Sequence, residues 1–183
     1  MRYFVVCALT LMGFHSAHSE EPRGEIKPFI VLTGQDSKID EPIYRCCRSN
    51  DELKVLWKQH RDYHEDETYW KDQPPTVDFS SLMVVGMFNG KQRSGYGVKV
   101  VSVTDEMDCV RIRFRPMTFQ PAAVSPFTTT RAERHSPMLS YAFVVIPKAD
   151  KILVLEENTQ SMLGTPPNWT EQSRIPAPNK TTK

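Results

Sequence analysis

Residues 82–90 read Leu-Met-Val-Val-Gly-Met-Phe-Asn-Gly, and the first seven are apolar without a break. Apolar side chains at both odd and even positions predict a central β-strand covered on both faces. Asn89-Gly90 then turns the chain. The next strand signal waits until Tyr96, so 90–97 reads as a long exposed loop and not as a two-residue hairpin. Upstream, Pro74-Pro75 stops a charged connector, and Val77-Asp78-Phe79-Ser80 leads into the apolar run.

The pattern extends in both directions from this strand. Downstream, 97–103 reads as a strand and 105–108 as its turn. Val110, Ile112 and Phe114 then alternate with Arg111, Arg113 and Arg115, which predicts a strand with one apolar and one basic face. Residues 140–146 and 151–155 read as a last hairpin joined by Pro147-Lys148-Ala149-Asp150. Upstream, 43–47 is a short strand, and Ser49 with Glu52 three residues on is a capping box. Leu53, Leu56, Trp57 and His60 recur at helical spacing, so a helix runs from there to about Tyr63 with that face in the core. The sum is an α+β fold in which an antiparallel sheet of five or more short strands packs against one main α-helix.

The ends of the chain read differently. In residues 1–19 a single early charge precedes an apolar run over 4–14, and Ala17-His18-Ser19 offers small residues at a cleavage point, which predicts a secretory signal peptide. No later run is long enough to cross a bilayer as a helix, so no transmembrane segment is expected. Residues 20–40 read as an extended segment, 41–158 as the folded domain, and 159–183, rich in Pro, Thr, Asn and Gln, as a flexible tail. The 183 residues suit one domain with tails, and fourteen prolines against eight glycines favour stiff loops and short strands. With 23 Lys and Arg against 22 Asp and Glu, charge gives no general attraction to nucleic acid or anionic lipid.

An exported chain folds in an oxidising compartment, and loss of Cys7 with the leader would leave Cys46, Cys47 and Cys109. One of the adjacent pair, Cys47 being the candidate, could bridge to Cys109, because neighbouring residues on a strand point to opposite faces. The alternative is that all three are buried small hydrophobes. None has the spacing of a zinc or redox motif, and no cofactor is expected.

Several segments together carry a family resemblance: Cys47-Arg48-Ser49 through Leu56-Trp57-Lys58, Val77-Asp78-Phe79-Ser80 running into Met83-Val84-Val85-Gly86-Met87-Phe88-Asn89-Gly90, Ser94-Gly95-Tyr96-Gly97-Val98, and Val144-Val145-Ile146-Pro147-Lys148. Over residues 44–155 the chain resembles the C-terminal domain of the PrcB family, named for a secreted subunit of a spirochaete protease complex. The resemblance implies an exported domain that contacts another protein, a protease among the candidates, with no catalytic residues to carry over. The chain departs from the family in having Ser94-Gly95-Tyr96 where Gly-Gly-Tyr is usual, and in the length of 117–139.

Among individual residues, Arg93, Ser94, Gly95, Tyr96 and Gly97 are the candidate partner-binding set. Glycine lets backbone approach closely, and Tyr96 brings a rigid amphipathic ring of the kind enriched in interfaces. The competing reading turns Tyr96 inward with Val98 and Val100. His60 and His64 lie one helical turn apart, a spacing that can hold a metal with help from Asp62, Glu65, Asp66 or His135, so a metal-binding protein or metal-dependent enzyme is the alternative class. No metal site is expected, since His60 also falls on the core face of its helix. Asp78 reads as a turn former, not as a catalytic carboxylate. Ser80, Ser94 and Ser140 lack the strained elbow of a nucleophile, so no hydrolase triad can be assembled. The arginine row reads as a solvated face, and two glycosylation-type triplets, Asn168-Trp169-Thr170 and Asn179-Lys180-Thr181, stand in the tail. The expectation is a non-enzymatic exported binding domain that acts on another exported protein as a helper or, alternatively, as a protease inhibitor.

Overall fold

A computed structural model describes residues 24–61, 73–92, 95–118, 138–159 and 164–178. They form eight strands and one helix: β1 (Ile30–Gly34), β2 (Pro42–Cys47), α1 (Asn50–Arg61), β3 (Leu82–Gln92), β4 (Gly95–Asp105), β5 (Cys109–Thr118), β6 (Met138–Pro147), β7 (Ile152–Asn158) and β8 (Trp169–Ile175). The expected leader and the segments at 62–72 and 119–137 lie outside the described residues.

Two four-stranded sheets, ordered β1-β6-β3-β2 and β4-β5-β7-β8, replace the single sheet on a helix that the sequence led us to expect. The α+β assignment is therefore corrected to a mainly β architecture. The physical reason lies in the inward faces. Met83, Val85, Met87, Ala142, Val144 and Ile146 of the first sheet bury against Val98, Val110, Ile112, Phe114, Leu153 and Leu155 of the second. Fully burying a side chain of this size is worth about 1.5–3 kcal/mol, so the inter-sheet layer dominates the fold.

The helix covers the other face of the first sheet. Leu53, Leu56 and Trp57 of α1 pack on Val84, Phe88, Tyr141, Phe143 and Val145. The run at 82–88 is apolar on both faces because β3 is a central strand lying between the helix and the second sheet. The start of α1 follows its capping signal: the Glu52 amide donates to Ser49 Oγ at 3.2 Å, while Glu52 Oε2 accepts from the Arg48 amide at 2.6 Å. The acidic side chain thus reaches one residue further back than a reciprocal box would place it.

Two connections differ from expectation. The segments 140–146 and 151–155 are not a hairpin: β6 belongs to the first sheet, while β7 crosses to the second and pairs parallel with β5. A short polar connection serves either geometry, and strand patterning does not distinguish them. The expected flexible tail contains β8, which pairs antiparallel with β7 from Leu153↔Ile175 to Asn158↔Trp169. Its sequence, Trp-Thr-Glu-Gln-Ser-Arg-Ile, is polar because its residues are exposed or half-buried.

The two margins of the sandwich are built unlike one another. At the β1/β4 margin, the incoming segment bridges Glu25 to Thr104, and the Ile26 amide donates to the Val103 carbonyl at 2.8 Å. At the β2/β8 margin, no backbone-to-backbone bond is made by the outer side of β2 among the described residues.

Candidate interaction surface

β3 ends at Gln92 and β4 opens at Gly95. Asn89-Gly90 is not a turn but a bulge within β3, marked by the register shift between Phe88 and Lys91 against β6. Gly90 has φ +66°, and a Cβ there would lie 2.8 Å from the Asp40 carbonyl oxygen, so both conformation and space call for glycine. Lys91 fixes the bulge from outside: its amide donates to the Asp40 carbonyl at 3.1 Å, and its ammonium pairs with the Asp40 carboxylate at 2.7 Å.

Beyond this, Gly95, Tyr96 and Gly97 open β4, while Arg93 and Ser94 lie outside the described residues. Tyr96 falls at a register shift of the β4/β5 ladder, between Gly95 and Gly97, and is 43% exposed, while Gly95, Gly97 and Val98 are buried. This removes the inward-packed reading of the ring. Gly97 is held from below. A Cβ on it would sit 2.5 Å from Thr33 Oγ1 and 2.9 Å from Met117 Cε, at a φ of +155°. Thr33 Oγ1 accepts from the Val98 amide at 2.9 Å and donates to the Tyr141 carbonyl at 3.0 Å. One hydroxyl thus ties β4 of the second sheet to β1 and β6 of the first. Thr33 fixes β4 two residues beyond Tyr96.

The other sequence candidates fall elsewhere. His60 is fully buried at the end of α1, in a cage of Trp57, Phe88, Tyr141 and Phe143 with ring centroids 4.2–5.6 Å away. Its Nδ1 meets Ser37 Oγ at 3.0 Å, and Nε2 is buried without a hydrogen-bond partner among the described residues. Burial, reinforced by the Arg61 charge, pushes its pKa down to about 4. The neighbouring Arg61 pairs with Asp36 at 2.6 Å and donates to the Tyr141 hydroxyl at 3.0 Å, so the end of the helix is locked to the segment that follows β1. The proposed metal companions His64, Asp62, Glu65, Asp66 and His135 lie outside the described residues, among which no three potential ligands come together. Ser37 is as buried as the histidine and so is not placed as a nucleophile.

Asp78 accepts from the Ser80 amide at 3.0 Å, the Ser80 hydroxyl at 2.6 Å and the Ser81 hydroxyl at 2.8 Å, and these bonds hold its carboxyl below the usual range. That is a turn-forming role. Of the arginine row, Arg111 donates to both oxygens of Glu106, at 2.6 and 2.8 Å, and also pairs with Glu156; Arg113 pairs with Glu156 at 2.9 Å and lies 5.1 Å from the Trp169 ring centroid. Two of the three cations are thus neutralised within the second sheet.

The candidate bridge between Cys47 and Cys109 is not made. All three thiols are free. Cys47 faces α1 from the first sheet, whereas Cys109 begins β5 in the second, where its thiol donates to Glu106 at 3.3 Å. Cys46 turns to the opposite face from Cys47, and its thiol lies 3.8 Å from Met83 Sδ. Burial pushes the Cys46 and Cys47 thiols up to about 11 and about 12, so both remain protonated and unreactive.

Thr33 and Ser37 escaped sequence reading because their partners are 65 and 23 residues away. Asn89, read from the sequence as a turn residue, and Ser140, read as a serine without a nucleophile's setting, have buried side-chain polar atoms with no partner among the described residues. No helix among these residues is long and apolar enough to cross a membrane. No protein-family model, curated protein or solved structure matches this chain.

Proposed function

We propose that this chain is an exported, non-enzymatic binding domain whose partner is another exported protein. The PrcB resemblance makes a secreted protease complex the leading candidate for that partner. The observation that carries the reading is Tyr96: an exposed aromatic ring between two buried glycines, on a strand pinned by Thr33. An aromatic ring has few rotatable bonds and loses little entropy on contact, which suits a binding anchor. The leader-like residues 1–19 support export.

Tagged protein captured from its native host by crosslinking, with and without Tyr96→Ala, tests this reading. One exported partner, lost in the variant while the fold is retained, is the expected result. If that partner is a protease, its activity in the presence of the purified chain separates a helper, which raises turnover, from an inhibitor, which lowers it. Turnover of a substrate by the chain alone would contradict the proposal.

A further inference from the structure

β2 is the outer strand of the first sheet and is paired with β3 alone. Its outer backbone groups carry no backbone bond among the described residues, and an unpaired edge is a template for another strand. Alongside it, α1 overhangs the sheet. Between Arg45, Cys46 and Cys47 of the strand and Asp51, Glu52, Val55 and Leu56 of the helix lies a cavity of about 370 Å³, with two carboxylates at its helix side and one guanidinium at its strand side. That is at the lower end of the ~300–1,000 Å³ typical of small-ligand pockets, enough for one large side chain. Val55 at its rim is 56% exposed, and the Cys47 thiol on the helix side of the strand is protonated and therefore apolar in character. Arg45 and Asp51 flank it, both exposed and neither in an ion pair among the described residues.

We propose that the β2 edge receives an extended segment of a second protein as a fifth strand, which places one large apolar side chain in this cavity between an acidic residue at Arg45 and a basic residue at Asp51. The alternation follows from strand geometry. Only every second residue of the added strand faces the helix side, so the recognised pattern is acidic, apolar and basic at alternate positions, in that order or its reverse according to strand direction. The unpaired backbone supplies affinity, the cavity and the two opposite charges supply selectivity. A second copy of this chain fits less well: β2 begins with Pro42, which brings no amide hydrogen to a new ladder, whereas a short segment can pair with 43–47 alone. This site lies at the margin opposite Tyr96 and does not depend on that ring.

The experiment is selection from a randomised peptide display library on the purified full chain, in parallel with Arg45→Glu, Asp51→Lys and Val55→Glu, each checked for native circular dichroism. The wild-type chain should enrich the alternating pattern. Arg45→Glu should replace the acidic preference with a basic one, and Asp51→Lys the basic with an acidic one. Val55→Glu should weaken a selected peptide by about tenfold or more, as loss of an apolar anchor does. Selected peptide should also slow amide exchange along β2. No enrichment, or a pattern that ignores both charge reversals, would overturn the proposal. Sedimentation showing a dimer that Val55→Glu dissolves would overturn it too, by assigning the edge to a second copy.

Discussion

The two margins of this sandwich solve the problem of an exposed strand edge in opposite ways. At the β1/β4 margin, amides of Ile26, Val98 and Asp105 are all taken, by Val103, Thr33 and Gly24, and the surface presents a side chain, Tyr96. At the β2/β8 margin the strand presents its backbone, with a cavity beside it. The bonds from residues 24–26 and Thr33 close part of the β4 edge, so recognition there rests on one ring. Unsaturated backbone makes the second receptive to a strand. The comparison predicts that mutations at the closed margin act mainly on stability and those at the open margin mainly on binding.

The largest effect is expected at Gly97. A Cβ meeting Thr33 Oγ1 at 2.5 Å, at a backbone angle side chains rarely adopt, should make Gly97→Ala cost about 3 kcal/mol or more in urea denaturation. A loss below about 1 kcal/mol would show that the margin yields easily and would break the contrast.

Acid should act nearly as strongly through His60. Its folded pKa lies below the ordinary value of 6.5, so the fold favours the neutral ring; the stability this gives is present above pH 6.5 and is lost as pH falls toward about 4. The loss between pH 7 and pH 4 is about 3 kcal/mol. His60→Gln should flatten that part of the stability profile, and an unchanged profile would mean that another group controls acid unfolding.

Thr33→Val comes next, at about 2 kcal/mol, because it strips the Val98 amide and the Tyr141 carbonyl of their shared hydroxyl while keeping shape. Thr33→Ser should recover most of the loss. Tyr96→Ala should have the smallest effect on stability, below about 1 kcal/mol, since the ring is substantially exposed. A larger cost would place Tyr96 among the structural residues of its margin.

How far the sequence foretells this molecule depends on the range of the interactions involved. α1 was legible because its cap and its Leu53, Leu56, Trp57 and His60 stripe are local, and β5 was legible because Val110, Ile112 and Phe114 alternate with arginines. The division into two sheets was not, because the inward residues of β3 and β5 look alike whether their strands share a sheet or face each other. β8 escaped notice because few of its side chains are buried, and its place is set by backbone pairing with β7. At the candidate surface, the glycines flanking Tyr96 pointed to the ring. Thr33, which holds it in place, carries no sign in the sequence of the strand it will meet.

The most direct test of the account is crosslinking and mass spectrometry of the tagged chain in its native host, comparing wild type with Tyr96→Ala. The account predicts one exported partner, a secreted protease or its propeptide, crosslinked at the β1/β4 margin and lost in the variant at unchanged stability. Recovery of the same partner by both chains, or of no specific partner by either, would contradict it.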